Sequence, residues 1–214
     1  MSAMGLPTTQ PYDLPSAGEL PASRGPWQVE TGRAALLVHD MQNYFVRPFA
    51  ADAAPLGPAI ANIARLAAHC RQKGVPVFYT AQNGDQDRRD RGLQADIWGP
   101  GMSSAETDQA IIAPLAPQKS DFVLVKHRYS AFQRSNLEVL MRARARDQII
   151  VTGIYAHIGC MMTAAEAFQR DIEAFFAADA LADFSREKHD LALDWVAGRC
   201  GVVAGTDQLI AALA

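Results

Sequence analysis

Cysteine is scarce in this chain, with three residues in 214: Cys70, Cys160 and Cys200. Their odd number and wide spacing exclude a disulfide framework, and no C-x-x-C or Cys/His ligand spacing supports a structural zinc site. Positive charge is not in excess either. A net charge of −3 gives no broad basic field for nucleic acid or anionic lipid. Arginine is dense in "MRARARDQ" and "DQDRRDRG", but acidic or apolar neighbours interrupt both, so they read as solvated helix or loop surface. No apolar run reaches membrane-spanning length, and the N-terminus lacks the basic-then-apolar order of a secretory signal. These absences point to a protein of the reducing cytoplasm with no nucleic-acid or membrane partner. Phosphate and esterase signatures are missing too: no G-x-G-x-x-G follows the first strand, and neither a P-loop nor a G-x-S-x-G elbow occurs.

What is present is an apolar content of 49%, enough to bury one full core. Residues 1–30, rich in Pro, Ser and Gly, read as an extended arm that wraps the domain or a neighbouring subunit; residues 31–214 read as one domain. "RAALLVHD" is a continuous apolar run of the kind a buried parallel strand needs. "VPVFYTA", "DFVLV", "DQIIVTGI", "EAFFAADALADF" and "GVVAG" are further strands. Helical spacing appears in "AIANIARLAAHCRQKG", with Gly74 as its C-cap, in "SNLEVLMRARA" with a Ser cap, and in "MMTAAEAFQRDI" and "SREKHDLALDWVAGR". A last helix follows "GVVAG". Strands alternating with helices predict a doubly wound parallel α/β sheet, since each crossover helix covers a face.

In such a sheet ligands collect beyond the carboxyl ends of the strands, near the point where strand order reverses. Asp40 closes the first strand, Gln82 follows the second, Lys126 closes the third, and Tyr155 to Gly159 follow the fourth. Each has an ordinary alternative: a turn or cap for the Asp, a snorkelling surface residue for the Lys, core packing for Tyr155, and a loop pin for Trp98. His39 and His157 flank the rim and read as hydrogen-bonded structure. The polar segment "QNGDQDRRDRGLQADIWGPGM" is too long for an ordinary connection and is suspected of function. Cys160, at a strand-to-helix turn, is a candidate thiol nucleophile.

Taken together, "LLVHDMQNYFVRPF", "YTAQ", "RGLQADIWGPGM", "KHRYSAF", "TGIYAHIGC" and "ADALADFSREKH" resemble the isochorismatase branch of the isochorismatase-like hydrolases across nearly the whole chain. The resemblance implies a three-layer α-β-α fold with a six-stranded parallel sheet. Related amidases carry a nucleophilic Cys at the eighth position of a segment beginning Thr-Gly. Counted from Thr152 that position is Gly159, not Cys160. A one-residue step in a first helical turn rotates a side chain by about 100°, so Cys160 is expected to be packed core. The amidases' metal site is not expected either, because Gln82, Asp85 and Asp87 follow the second strand without a His. No metal and no cofactor are therefore expected.

The resemblance implies hydrolysis of the vinyl ether of isochorismate or 2-amino-2-deoxyisochorismate. Asp40 would be the general acid, protonated through burial, and Lys126 its partner, although the ammonium opposes that protonation unless substrate carboxylates engage it. Phe45, Gln82, Arg91, Trp98, Tyr155 and the Gly159 amide would hold the dianionic small-molecule substrate. His127 stands where the branch is expected to carry an aromatic, and "RPF" tilts towards the amino substrate. The chain ends at Ala214 without a "DS" phosphopantetheine site, as expected of free-standing hydrolases, and a homodimer is expected. Two alternatives stay open: a Cys160-dependent amidase and a non-catalytic partner-binding protein.

Overall fold

The computed structural model describes residues 6–50 and 53–214, so the start of the arm (1–5) lies outside the described residues. The chain runs β1 (Ala34–His39), α1 (Asn43–Val46), α2 (Leu56–Gln72), β2 (Val77–Ala81), α3 (Arg88–Arg91), α4 (Gln94–Trp98), α5 (Glu106–Gln109) and β3 (Phe122–Val125). It continues through α6 (Leu137–Arg142), β4 (Gln148–Ile154), α7 (Met161–Gln169), β5 (Glu173–Ala182), α8 (Arg186–Arg199), β6 (Gly201–Ala204) and α9 (Thr206–Ala212). All six strands pair in parallel in the order β3-β2-β1-β4-β5-β6.

The uninterrupted apolar runs are explained by burial on both faces. Every residue of β1 and β4 is buried. Successive side chains alternate between layers. Leu36, Val38 and Ile150 meet Ile63, Leu66 and Ala67 of α2 and Leu209 of α9. Leu37, Ile149 and Val151 meet Met141 of α6, Ala164 of α7 and Val196 of α8. Truncating any of the fully buried Leu or Ile residues here to Ala would cost about 2–5 kcal/mol. Gly74, with φ 70°, turns the chain out of α2 as its position implies.

One local expectation changes. Helix α6 starts at Leu137 with Asn136 as its N-cap residue, while the Ser135 hydroxyl donates to the Ala131 carbonyl (2.5 Å) and accepts from the Leu137 N–H (3.3 Å). The hydroxyl is drawn back to the preceding loop, so it sits one residue before the cap position.

The arm packs on its own domain. The Gln10 N–H donates to the Phe184 carbonyl (2.7 Å), and the Tyr12 hydroxyl lies 2.9 Å from His189 Nδ1 while accepting from the Asp183 N–H (2.8 Å). Among the described residues no helix is long and apolar enough to cross a membrane.

The sheet order reverses between β1 and β4: the chain builds outward from β1 to β3, then from β4 to β6 on the other side. The carboxyl ends of those two central strands carry Asp40 and Tyr155.

Candidate active site

Asp40 leaves β1 with φ 52°, a left-handed conformation that Asp tolerates better than most side chains. The twist places its carboxylate among donors from the ends of two neighbouring strands, β2 and β3. Oδ1 accepts from the Thr80 hydroxyl (2.7 Å), while Oδ2 accepts from Lys126 Nζ (2.8 Å) and Gln82 Nε2 (3.3 Å). Lys126, only 2% exposed, also donates to the Arg128 carbonyl (2.7 Å). Gln42 fixes the arrangement from behind: its Oε1 accepts from the Gln82 N–H (2.7 Å) and its Nε2 donates to the Gln82 carbonyl (2.9 Å).

Electrostatics show the opposition between burial and the ammonium at Asp40. Burial pushes the Asp40 carboxyl up, but the adjacent Lys126 ammonium and the hydrogen bonds from Lys126 and Thr80 outweigh it and hold the group below its ordinary value. In the ligand-free protein Asp40 is a carboxylate, not the standing acid that burial alone would make it. His39 adds no charge at neutral pH, because complete burial lowers it from 6.5 to about 4. His189, buried beside Tyr12, is likewise lowered to about 4.

These two histidines predict a pH profile. A group whose folded pKa is depressed contributes stability that is present above its unfolded value and is lost as pH falls through the folded one. Stability should therefore drop between pH 6.5 and about 4, by roughly 3 kcal/mol for each histidine. Urea unfolding followed from pH 7 to 4, with NMR titration of the imidazoles, checks this; a flat profile would contradict it.

Above the Asp40–Lys126 pair lies a narrow cavity, about 60 Å³ of which is open to the centres of water molecules. It brings together all of the expected site residues: Asp40, Phe45, Gln82, Arg91, Trp98, Lys126, Tyr155 and Gly159. The long segment after β2 supplies one wall through α3 and α4. Arg88 and Arg89 of that segment face solvent, but Arg91 is 7% exposed, its Nε donating to the Gly99 carbonyl (2.6 Å). Among the described residues it has no carboxylate within 4.0 Å, and desolvation lowers its pKa. That leaves a desolvated cation facing the cavity. Trp98 Nε1 donates to the Tyr129 hydroxyl (2.7 Å).

Tyr155 differs from expectation in one respect. Its hydroxyl donates to the Phe45 carbonyl (2.6 Å), so the phenol proton is committed to the protein, and its ring stacks on Phe184 at 4.1 Å. The cavity-lining residues not chosen from sequence include Tyr44, Gln94, Gly101, Tyr129, Ile154 and Phe184, and Thr80 orients Asp40. Phe184, two residues beyond β5, obeys the same strand-end rule that found the others.

Cys160 is completely buried, its Sγ 4.0 Å from the Thr152 carbonyl oxygen, and burial raises its thiol pKa well above the ordinary value. It does not line the cavity, though for a reason other than the first α-helical turn invoked above: residues Ala156–Cys160 form a wider π-type turn before α7. His157 is paired with Asp183 (2.7 Å). His127, whose Nδ1 is buried without a hydrogen-bond partner among the described residues, is not a lining residue. In "RPF", Arg47 pairs with Asp108 and Phe49 stacks on Tyr155 at 6.0 Å; none of the three lines the cavity, so the stretch makes no contact that distinguishes an amine from a hydroxyl. Asp87 caps α3 by accepting from Arg89 N–H (2.8 Å), and Asp85 accepts from Ser104 N–H (2.9 Å). Among the described residues no group of three or more His, Cys, Asp or Glu could hold a metal ion.

Comparison with known proteins fits this geometry. A profile of the isochorismatase domain matches residues 34–208. The chain is 53% identical to an isochorismatase of Bacillus subtilis over 97% of its own length, and spans 66% of that relative. It is 44% identical to phenazine biosynthesis protein PhzD of Pseudomonas fluorescens, covering 96% of this chain and 99% of that one. Among solved structures, a cysteine hydrolase from Pseudomonas syringae pv. phaseolicola superposes with a TM-score of 0.81 at 26% identity, covering 90% of this chain and 97% of that one. A strand-end acid and lysine at the sheet's switch point, under a family match that runs from β1 into α9, leave one conclusion: the chain belongs to the isochorismatase family.

Proposed function

We propose that this protein hydrolyses the vinyl ether of isochorismate or 2-amino-2-deoxyisochorismate without a metal, releasing pyruvate and a dihydro-dihydroxybenzoate or dihydro-hydroxyanthranilate. The observation that carries the reading is the buried Asp40–Lys126 pair on the floor of a cavity that also holds the unpaired Arg91. Among the described residues these three are the charged ones lining the cavity, and with Asp40 ionised they sum to +1. A dianion bound there leaves an excess negative charge in a low-dielectric site, and uptake of one proton by Asp40 removes it. Substrate binding thus converts a carboxylate into the acid that the chemistry needs.

Asp40 then gives its proton to the enolpyruvyl methylene carbon, and the ether oxygen shares the resulting cationic charge as an oxocarbenium ion. Water adds to the carbon that bears the ether oxygen, forming a hemiketal, and returns a proton to Asp40. The hemiketal collapses, the ring oxygen leaving with a proton as the pyruvate carbonyl forms. Arg91, Gln82 and Trp98 surround the enolpyruvyl end, and Lys126 with the Gly159 amide faces the ring carboxylate. Phe45 and the Tyr155 ring exclude bulk water, which strengthens every charge interaction inside.

Supplying each substrate and measuring pyruvate by a coupled assay tests the proposal; no pyruvate from either overturns it. In D₂O the pyruvate should carry one solvent deuteron in its methyl group. Iodoacetamide should leave the rate unchanged, since Cys70, Cys160 and Cys200 are all buried; inactivation would favour a thiol mechanism instead. A homodimer is proposed through the exposed edge of β3, where Val123 and Val125 are 52% and 42% exposed. A single monomeric species in sedimentation would contradict it.

A further inference from the structure

His39 is completely buried at the end of β1, next to Asp40, and the chemistry above does not use it. Two glycines give way to it, Gly153 near the end of β4 and Gly159 in the turn that follows. A Cβ on Gly153, whose φ is 104°, would lie 2.2 Å from the His39 carbonyl oxygen. A Cβ on Gly159 would lie 2.3 Å from Cε1 of the His39 ring and 3.0 Å from its Nε2. Real side chains do not tolerate such approaches, so one group has to move.

The ring has little room to do so. Nδ1 lies 3.0 Å from the Ile154 carbonyl oxygen and donates to it, since the buried imidazole is neutral. Nε2 lies 3.3 Å from Thr163 Oγ1, and that hydroxyl donates to the carbonyl of Gly159 itself (2.7 Å). The ring is thus held by a hydrogen bond through Nδ1 and packs against Thr163, which ties to Gly159 beneath a cavity that Gly159 lines beside Asp40 and Lys126.

We infer that His39 is a specificity-determining residue: its ring fills the volume that any side chain at position 159 requires, and so denies the acid–lysine pair a covalent nucleophile. Placing a thiol at position 159 is thus not a single-residue matter, because it demands that His39 also become smaller. The inference rests on reading Asp40 and Lys126 as the reactive pair, but its test measures packing and thiol access rather than pyruvate, so the two can fail separately.

The experiment places Gly159→Ala and Gly159→Cys on the wild-type, His39→Asn and His39→Ala backgrounds. His39→Asn keeps a donor for the Ile154 carbonyl while removing Cε1 and Nε2. With His39 present, each Gly159 substitution should lower Tm by roughly 5–10 °C, the scale of an overpacked core. On the reduced backgrounds the same substitutions should cost little or raise Tm, a non-additivity characteristic of groups in contact. Iodoacetamide labelling of the thiol introduced at position 159, mapped by mass spectrometry, should be at least about tenfold faster in H39N/G159C than in G159C. If G159C does not fold, G159A supplies the same comparison. Equal Tm costs on all three backgrounds, or equal labelling rates with and without His39, would overturn the inference.

Discussion

Asp40→Asn should reduce pyruvate release by about 10²–10⁴-fold, the range of a general acid's contribution. The amide retains an acceptor for Lys126 Nζ at 2.8 Å and a partner for the Thr80 hydroxyl at 2.7 Å, so the site keeps its shape while losing its proton. Some stability is lost as well, because Lys126 is left as a buried ammonium with only the Arg128 carbonyl and a neutral amide as partners. Circular dichroism and a melt separate the two effects: the variant should remain folded at assay temperature while its rate collapses. Retention of more than a tenth of the wild-type rate would remove Asp40 from the role of acid.

Lys126→Met should produce the second large effect, and it has two parts. Removing one member of a buried pair strands the other, at about 3–5 kcal/mol near pH 7. The sign of the pH dependence follows from Asp40. In the wild type its carboxyl is held low by Lys126, so it contributes stability present above 3.8 and lost as pH falls through the lower folded value. Without the ammonium, burial dominates and the carboxyl rises above its unfolded value. Asp40 then stabilises the fold fully only below that unfolded value, and this is lost as pH climbs through the raised one. The deficit of Lys126→Met in urea unfolding should therefore shrink from pH 7 towards pH 4. In turnover, the acid is already protonated before substrate arrives, while a cation for the dianion is gone; KM should rise more than kcat falls, and the kcat/KM profile should move in pH. A profile that ignores the substitution would contradict the charge-coupled protonation proposed here.

Much of the site was legible without coordinates because it obeys a local rule. Strand ends can be read from where an apolar run stops, and in a parallel sheet the polar residues just beyond those stops share one rim. Asp40, Gln82 and Lys126 were located this way, and the cavity contains all three. Arg91 could not be separated from Arg88 and Arg89 by sequence, since three neighbouring arginines carry the same local signal. Only packing against Gly99 and Gly101 buries one and leaves the others in water.

The Thr-Gly segment shows the same division. Counting from Thr152 put Gly159, rather than Cys160, in the position of consequence, and the buried thiol agrees. Why a glycine stands there was invisible, because the ring that excludes a side chain belongs to His39, 120 positions upstream.

By itself, then, the sequence determined the order of strands and helices, the rim on which polar strand-end side chains collect and the residue types available there, because hydrophobic periodicity and run length are properties of neighbouring residues. Tertiary structure alone decided the protonation state of Asp40, the direction of the Tyr155 hydroxyl and the exclusion of a side chain at 159. Each of these depends on charges and volumes delivered through space by distant segments, and burial acts on Asp40 in one direction while Lys126, at 2.8 Å, acts more strongly in the other.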